Sequence, residues 1–290
     1  MAGGMGIELG VLAPHPPIIV PEVGGVEAEK AGKTMEAMRK MARMVREVDP
    51  ESVVLITPHG PYSVHNVLLM VSNPLVGNLG DFGAPEVKFN LQNDLSLGRT
   101  ILRTAERAGL PLREWRPAGL GGDAGRFLDH GQMVPLYYLV KEGLEVPVVP
   151  LAMGAVSSRA LFELGAAIRE ATQTLHRKTV VVASGDLSHR LTPGAPAGYD
   201  PKGAEFDRRV VETLKKGDAE DFFRFDADLV ERAGECGFRP IIMMLGALDG
   251  LSVEPEVLSY EGPFGVGYAV AVFKTRSAFE PETLGTETGN

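Results

Sequence analysis

The chain has 290 residues, 29 Lys+Arg against 38 Asp+Glu, a net charge of −9, and is 44% hydrophobic and 23% charged. These are the proportions of an ordinary globular protein long enough to bury a large core. No run of Lys or Arg is present to grip a polyanion, so a nucleic-acid partner is excluded from the expectations.

The first residues, "MAGGMGIELG", lack a basic segment followed by an apolar one and do not read as a signal peptide. Strand-like "IELGVLAP" (7–14) comes next, followed by a helical pattern near 26–48. Met35, Met38, Met41, Met44 and Val45 share roughly one face of that helix, which is core packing at helical spacing. Two more strand patterns, "SVVLITP" (52–58) and "NVLLMVS" (66–72), precede a helix near 93–109. The Gly/Pro-rich stretches 73–86 and 116–127 read as long loops, a kind of segment that is usually functional or mobile.

A strand at 146–153, a helix near 157–172, the strand "TVVVAS" (179–184), helical segments through about 201–249 and a strand at 265–273 complete the alternation. Strands this dense in Val, Leu and Ile, with little polar alternation, are expected where helices cover both faces of a sheet. The reading is therefore α/β: one layered sandwich with a central mixed sheet covered by helices. Its expected extent is 1–275, with 276–290 as a polar tail. The longest uncharged apolar run, 146–156, is too short to span a membrane, for which about 18 residues are required. Cys236 is the sole cysteine, which excludes an internal disulfide and fits a reducing compartment. A soluble cytoplasmic protein with no membrane partner is the expectation.

The six histidines carry the most functional information. His15 follows "GVLAP", His59 follows "SVVLITP" and His189 follows "VVVASGDLS". All three fall at or just past the carboxyl end of an apolar strand, the edge where α/β sheets bind ligands. His130 ends the second glycine-rich loop, where a helix begins with Asp129 as its cap. His65 and His176 stand beside polar or charged sequence and are assigned to solvent.

A metal held only by neutral imidazoles keeps its full charge, so a carboxylate is the usual third ligand, and two His plus one acid is the facial triad of non-haem Fe(II) enzymes. Glu235, just before the apolar helix "FRPIIMMLGAL", is the candidate acid. It is equally suited to being a plain N-terminal helix acid, favoured by the helix dipole.

In order along the chain, "GVLAPHPP", "ITPHGPY", "LDHGQMVPL", "SGDLSHRL" and "ECGFRPI…LGAL" resemble the class III extradiol ring-cleavage dioxygenases. The similarity is to the catalytic B-type (LigB-like) subunit of protocatechuate 4,5-dioxygenase and to the DOPA extradiol dioxygenases, and it covers about residues 7–273. By that resemblance His15, His59 and Glu235 would hold Fe(II). His189 would be the catalytic acid/base, and His130 a second catalytic histidine lining the pocket. The substrates implied are a small aromatic diol and O2. A histidine titrating near neutrality suits the task, because a catechol must lose a proton on binding and one must be returned later.

"CGFRPI" also resembles the Memo family, a branch of the same fold without dioxygenase activity in which a cysteine followed by glycine takes the third ligand place. Cys236 is thus the alternative third ligand, and a thiolate would suit Zn(II) or copper. Glu235 is the preferred ligand for open Fe(II) chemistry, which needs a hard oxygen donor. The competing functions are a zinc-dependent hydrolase and a Memo-like metal- or peptide-binding protein. Tyr62, Arg126, Arg190 and Tyr199 are the candidate substrate-binding residues, either arginine being able to pair a substrate carboxylate. A homo-oligomer is expected on general grounds, and some relatives close their pocket with a small accessory subunit.

Overall fold

The structure, a computed structural model, describes residues 6–116 and 128–276. Arg126 and the tail after 276 lie outside the described residues. Ten strands occur in chain order: β1 (Ile7–Ala13), β2 (Ser52–Thr57), β3 (Val67–Met70), β4 (Leu75–Leu79), β5 (Ala84–Leu91), β6 (Leu112–Trp115), β7 (Val148–Ala152), β8 (Thr179–Ser184), β9 (Val253–Glu261) and β10 (Tyr268–Thr275). The helices are the single turn α1 (Pro21–Gly24), then α2 (Gly32–Glu47), α3 (Leu95–Arg107), α4 (His130–Lys141), α5 (Ser158–Thr174), α6 (Pro201–Lys216), α7 (Ala219–Phe223), α8 (Ala227–Ala233) and α9 (Phe238–Leu248).

Eight strands form one mixed sheet in the order β6-β3-β7-β2-β8-β1-β10-β9, while β4 and β5 pair only with each other. The centre is parallel: β1 runs with β8, β8 with β2 and β2 with β7. Burial explains the unbroken apolar runs, since every residue of β2, β7 and β8 is buried. One apolar layer joins Leu9, Val11, Val53, Leu55, Val180 and Val182 to α2, α4 and the β4–β5 hairpin. The other joins Leu12, Val54, Ile56 and Val181 to α3, α5, α9 and the segments of α6 to α8. The methionine face of α2 behaves as read, with Met38, Met41, Met44 and Val45 buried in the first layer and Met35 partly buried against it.

Four stretches differ from the sequence expectation. The loop read at 73–86 is instead mostly the β4–β5 hairpin, whose Gly77 packs against Leu128 and Met133 so closely that a Cβ would lie 2.7 Å from each. β6 and β9 carry no strand expectation because they are the two outer strands of the sheet, with charged residues exposed to solvent. The front of the helix read from 26 is a 3₁₀ segment, Gly25–Ala31, before α2 proper.

Candidate metal centre

Period-2 alternation carries the site. Leu9, Val11 and Ala13 of β1, Val53 and Leu55 of β2, and Val180 and Val182 of β8 face one apolar layer. Counting on in twos leads to His15, to Thr57 and His59, and to Ser184. The register sets Ala13 beside Ser184 and Leu55 beside Val182, so these chain ends emerge side by side at the carboxyl edge of three adjacent parallel strands.

There the ring nitrogens meet. His59 Nε2 lies 3.0 Å from His15 Nε2, and Cys236 Sγ lies 3.6 Å from the same His15 nitrogen. Among the described residues, His15, His59 and Cys236 form a group whose potential ligand atoms all fall within 4.8 Å of one another. His189 Nε2 is 3.8 Å from Cys236 Sγ. His130 completes the cluster, its ring centroid 4.3 Å from that of His59 and 5.5 Å from that of His15.

Hydrogen bonds assign the tautomer of His15. The Ser184 hydroxyl donates to the Gly131 carbonyl, so its oxygen is left to accept, and His15 Nδ1, 2.8 Å away, must carry the proton. His15 Nε2 therefore presents a lone pair to the cluster. The His15 backbone N–H is fixed by Asp186 Oδ1 at 2.9 Å. On the other side, His59 N–H donates to Thr57 Oγ1, which in turn donates to Asp129 Oδ1. Asp129 opens α4 as its cap, as read, and the structure adds a capping box with Gln132; glycine is required at 131 because a Cβ there would sit 2.6 Å from Thr57 Oγ1 and 3.1 Å from the His59 ring.

Cys236 arrives by a close approach of two loops. A Cβ on Gly185 would lie 2.3 Å from the Gly237 Cα, and both Cys236 and Gly237 donate backbone N–H groups to the Asp186 carbonyl. The Cys236 sulfur accepts the Asp186 N–H at 3.3 Å. Glu235, the preferred third ligand in the sequence reading, goes elsewhere: its Oε2 accepts the Phe238 N–H, serving the first turn of α9 as a helix acid, and it is not in the group formed by His15, His59 and Cys236.

Burial sets the electrostatics. It lowers His15 well below the usual imidazole value, with His59, His130 and His189 adding repulsion, and brings His59 down to about 4. His130 and His189 are also lowered by burial. Burial pushes the Cys236 thiol well up, and the Asp186 charge adds to it. The carboxyls of Asp186 and Glu235 are both raised to about 7 by burial, and that of Asp129 to about 6. The cluster thus holds neutral imidazoles at physiological pH, which is the state in which they can bind a cation.

Sequence reading missed Ser184, Asp186 and Phe82. Ser184 and Asp186 stand within "SGDLSH", where the strand parity that leads to His15 would have found the serine. Phe82, in the turn of the β4–β5 hairpin, sets its ring 5.4 Å from that of His130 and is 41% exposed. Tyr62 and Tyr199 are exposed. Arg190 follows His189, but its Nε packs toward Gly234, 2.9 Å from where a Cβ would stand. His65 and His176 are exposed, as expected.

Fold and cluster together define an α/β protein that gathers four histidines and a cysteine at one sheet edge. The model of the family described as the catalytic LigB subunit of aromatic ring-opening dioxygenase matches residues 9–271, and the chain belongs to that family. It is 37% identical over 267 residues to protein CA_C1420 of Clostridium acetobutylicum, covering 89% of this chain and 56% of that protein. A Pseudomonas protein named as the 2-aminophenol 1,6-dioxygenase beta subunit is 24% identical over 291 residues, 90% of this chain and 92% of its own. The MEMO1 family protein TK1477 of Thermococcus kodakarensis is 30% identical over 156 residues, 48% of this chain and 52% of that one. The chain thus spans little more than half the length of the Clostridium and Thermococcus relatives. An uncharacterized Escherichia coli K12 protein shares the fold, with a TM-score of 0.58 at 15% identity over 92% of this chain and 99% of that one. Among the described residues, no helix is long and apolar enough to cross a membrane.

Proposed function

We propose that this chain is a metal-binding protein of the Memo-like branch of its family, with the ion held by His15, His59 and Cys236. The observation that carries the reading is the enforced lone pair on His15 Nε2, facing a second imidazole nitrogen and a thiol. Two neutral imidazoles and a thiol that can release its proton to an incoming ion suit a cation, and a thiolate with two imidazoles suits zinc or copper better than an all-oxygen metal. Ser184 acts on His15 as outer hydrogen-bond partners act in metal sites generally, fixing tautomer and ring orientation.

A bound divalent ion would supply Lewis acidity to an oxygen or nitrogen group placed beside it. His189 and His130 then supply the proton chemistry. Each imidazole is lowered by burial and so is neutral and able to accept a proton at neutral pH, and His189 lies nearest the thiol. Asp186, with Oδ2 4.0 Å from His189 Nε2, is placed to stabilise that proton once taken.

A second reading is an Fe(II)-dependent extradiol dioxygenase acting on an aromatic diol or aminophenol with O2. It is favoured by the acid/base imidazole beside the cluster and by the resemblance to the Pseudomonas subunit. In this reading the chain would lack the carboxylate ligand on which that chemistry is usually built.

Metal-free protein offered Zn(II), copper or Fe(II) in turn, with metal content and affinity measured, tests both. The expected result is one ion per chain, an affinity loss on the order of 100-fold in Cys236→Ser, and none in Glu235→Gln. Retained binding in Cys236→Ser with loss in Glu235→Gln would overturn the proposal. Aerobic turnover of catechol or 2-aminophenol to a yellow ring-opened product by the Fe(II)-loaded chain would move the assignment to the second reading.

A further inference from the structure

His189 lies past the end of β8, in a turn with no regular ladder to hold it, yet every backbone donor from Leu187 to Arg190 is engaged. Leu187 N–H donates to the Gly267 carbonyl and Gly267 N–H returns a bond to the Ser188 carbonyl. His189 N–H donates to the Ala233 carbonyl, the His189 carbonyl accepts from Ala197, and Arg190 N–H donates to Ser188 Oγ. The remaining donor, Ser188 N–H, is taken by a side chain: Asp207 Oδ1 of α6 accepts it at 2.8 Å.

Asp207 is fully buried, with no cation paired to it among the described residues, and its second oxygen accepts the Tyr260 hydroxyl of β9 at 2.7 Å. The space for it is reserved, because a Cβ on Gly267 would come within 1.9 Å of that oxygen. A buried carboxyl is costly unless its oxygens are occupied, and here it joins α6, β9 and the turn before His189 through two hydrogen bonds. Ser188 then passes the constraint on, its hydroxyl donating to the Ala233 carbonyl three residues before Cys236.

We propose that Asp207, backed by Tyr260, is the positioning residue for His189: it fixes the turn that aims the imidazole at the metal cluster. This rests on the reading of His189 as the acid/base group of that cluster. Asp207 touches none of His15, His59 and Cys236, so its contribution is to aim and not to metal affinity.

The test uses the chain uniformly labelled with ¹⁵N, metal-free and zinc-loaded, as wild type and as Asp207→Ala, Asp207→Asn and Tyr260→Phe. In Asp207→Ala, exchange of the Ser188 and His189 amides should rise about tenfold over wild type, the change expected when one hydrogen bond from an amide to a carboxyl group is lost. The His189 imidazole signals should shift and broaden while those of His15 and His59 hold, and zinc affinity should stay at the wild-type value. Asp207→Asn should restore both signatures in part, since its carbonyl can still accept from Ser188. Should Asp207→Ala fail to fold, Tyr260→Phe, which removes only a hydroxyl, decides by the same signals in weaker form. Unchanged His189 signals, or a uniform loss of protection in which Ser188 suffers no more than β1 and β2, would overturn the proposal. The turn is read in metal-free protein, so failure of zinc to bind anywhere would sink the metal assignment and leave this result standing.

Discussion

Replacing Ser184 by alanine isolates the feature on which the metal assignment depends. The substitution removes the acceptor that holds the proton on His15 Nδ1 and the donor that satisfies the Gly131 carbonyl, in a position with no solvent exposure. Two buried polar groups lose partners at about 1–3 kcal/mol each, partly recovered by relaxation, so a stability loss of about 2–4 kcal/mol and a fall in Tm on the order of 10 °C are expected. For metal, loss of such an outer partner costs about 10- to 100-fold in affinity, or about 1.4–2.7 kcal/mol. Zinc competition against a chromophoric chelator measures the second quantity and thermal unfolding of the metal-free chain the first. Ser157→Ala is the control, because Ser157 caps α5 away from the cluster through Ala160 N–H; it should cost about 1 kcal/mol of stability and leave zinc binding alone. A folded Ser184→Ala protein that binds zinc as tightly as wild type would refute the tautomer argument.

Two further outcomes follow from the same geometry. Glu235→Ala should lower Tm by a few degrees, through loss of about 0.5–2 kcal/mol at the start of α9, with zinc affinity unchanged; loss of zinc without loss of stability would restore Glu235 as a ligand. For pH, burial raises Asp207 from 3.8 to about 7 in the folded chain, so the fold favours its protonated form. Its stabilising contribution is complete below the unfolded value and is lost as pH rises toward and through about 7. Between pH 5 and pH 8 the metal-free wild type should therefore lose on the order of 1–3 kcal/mol relative to Asp207→Asn, as followed by denaturant unfolding, and parallel pH curves would contradict it.

Strand parity explains how much of this was legible in sequence. Alternation along β1 and β2 reaches His15 and His59 in steps of two, and buried parallel strands announce themselves as unbroken Val, Leu and Ile, so the α/β class and the place of two of the three clustered residues could be read directly. The choice between Glu235 and Cys236 could not. Adjacent residues in a turn point in different directions, and which one faces the cluster is decided by the contact of Gly185 with Gly237, some fifty positions apart in sequence. The β4–β5 hairpin was hidden for another reason. Gly77, Gly80 and Gly83 thin out its apolar pattern, and its strands are stabilised by packing against Leu128 and Met133, not by membership of the main sheet. β9 was hidden because an outer strand half in water, "VEPEVLSYE", mixes charge and apolar residues in a way that periodicity alone does not separate from a loop.

The three clustered residues stand at positions 15, 59 and 236, the first two past the ends of strands that become neighbours only after β8 has inserted between β1 and β2, the third in the turn between α8 and α9. A nascent chain therefore displays two imidazoles long before its sulfur is synthesised, and in an unfolded chain those imidazoles have no fixed spacing. An ion cannot template such a fold from the start; it can only lock a sheet that has already closed. Occupancy in the cell would then count finished molecules, and a chain stalled before residue 236 would leave scarce metal to others.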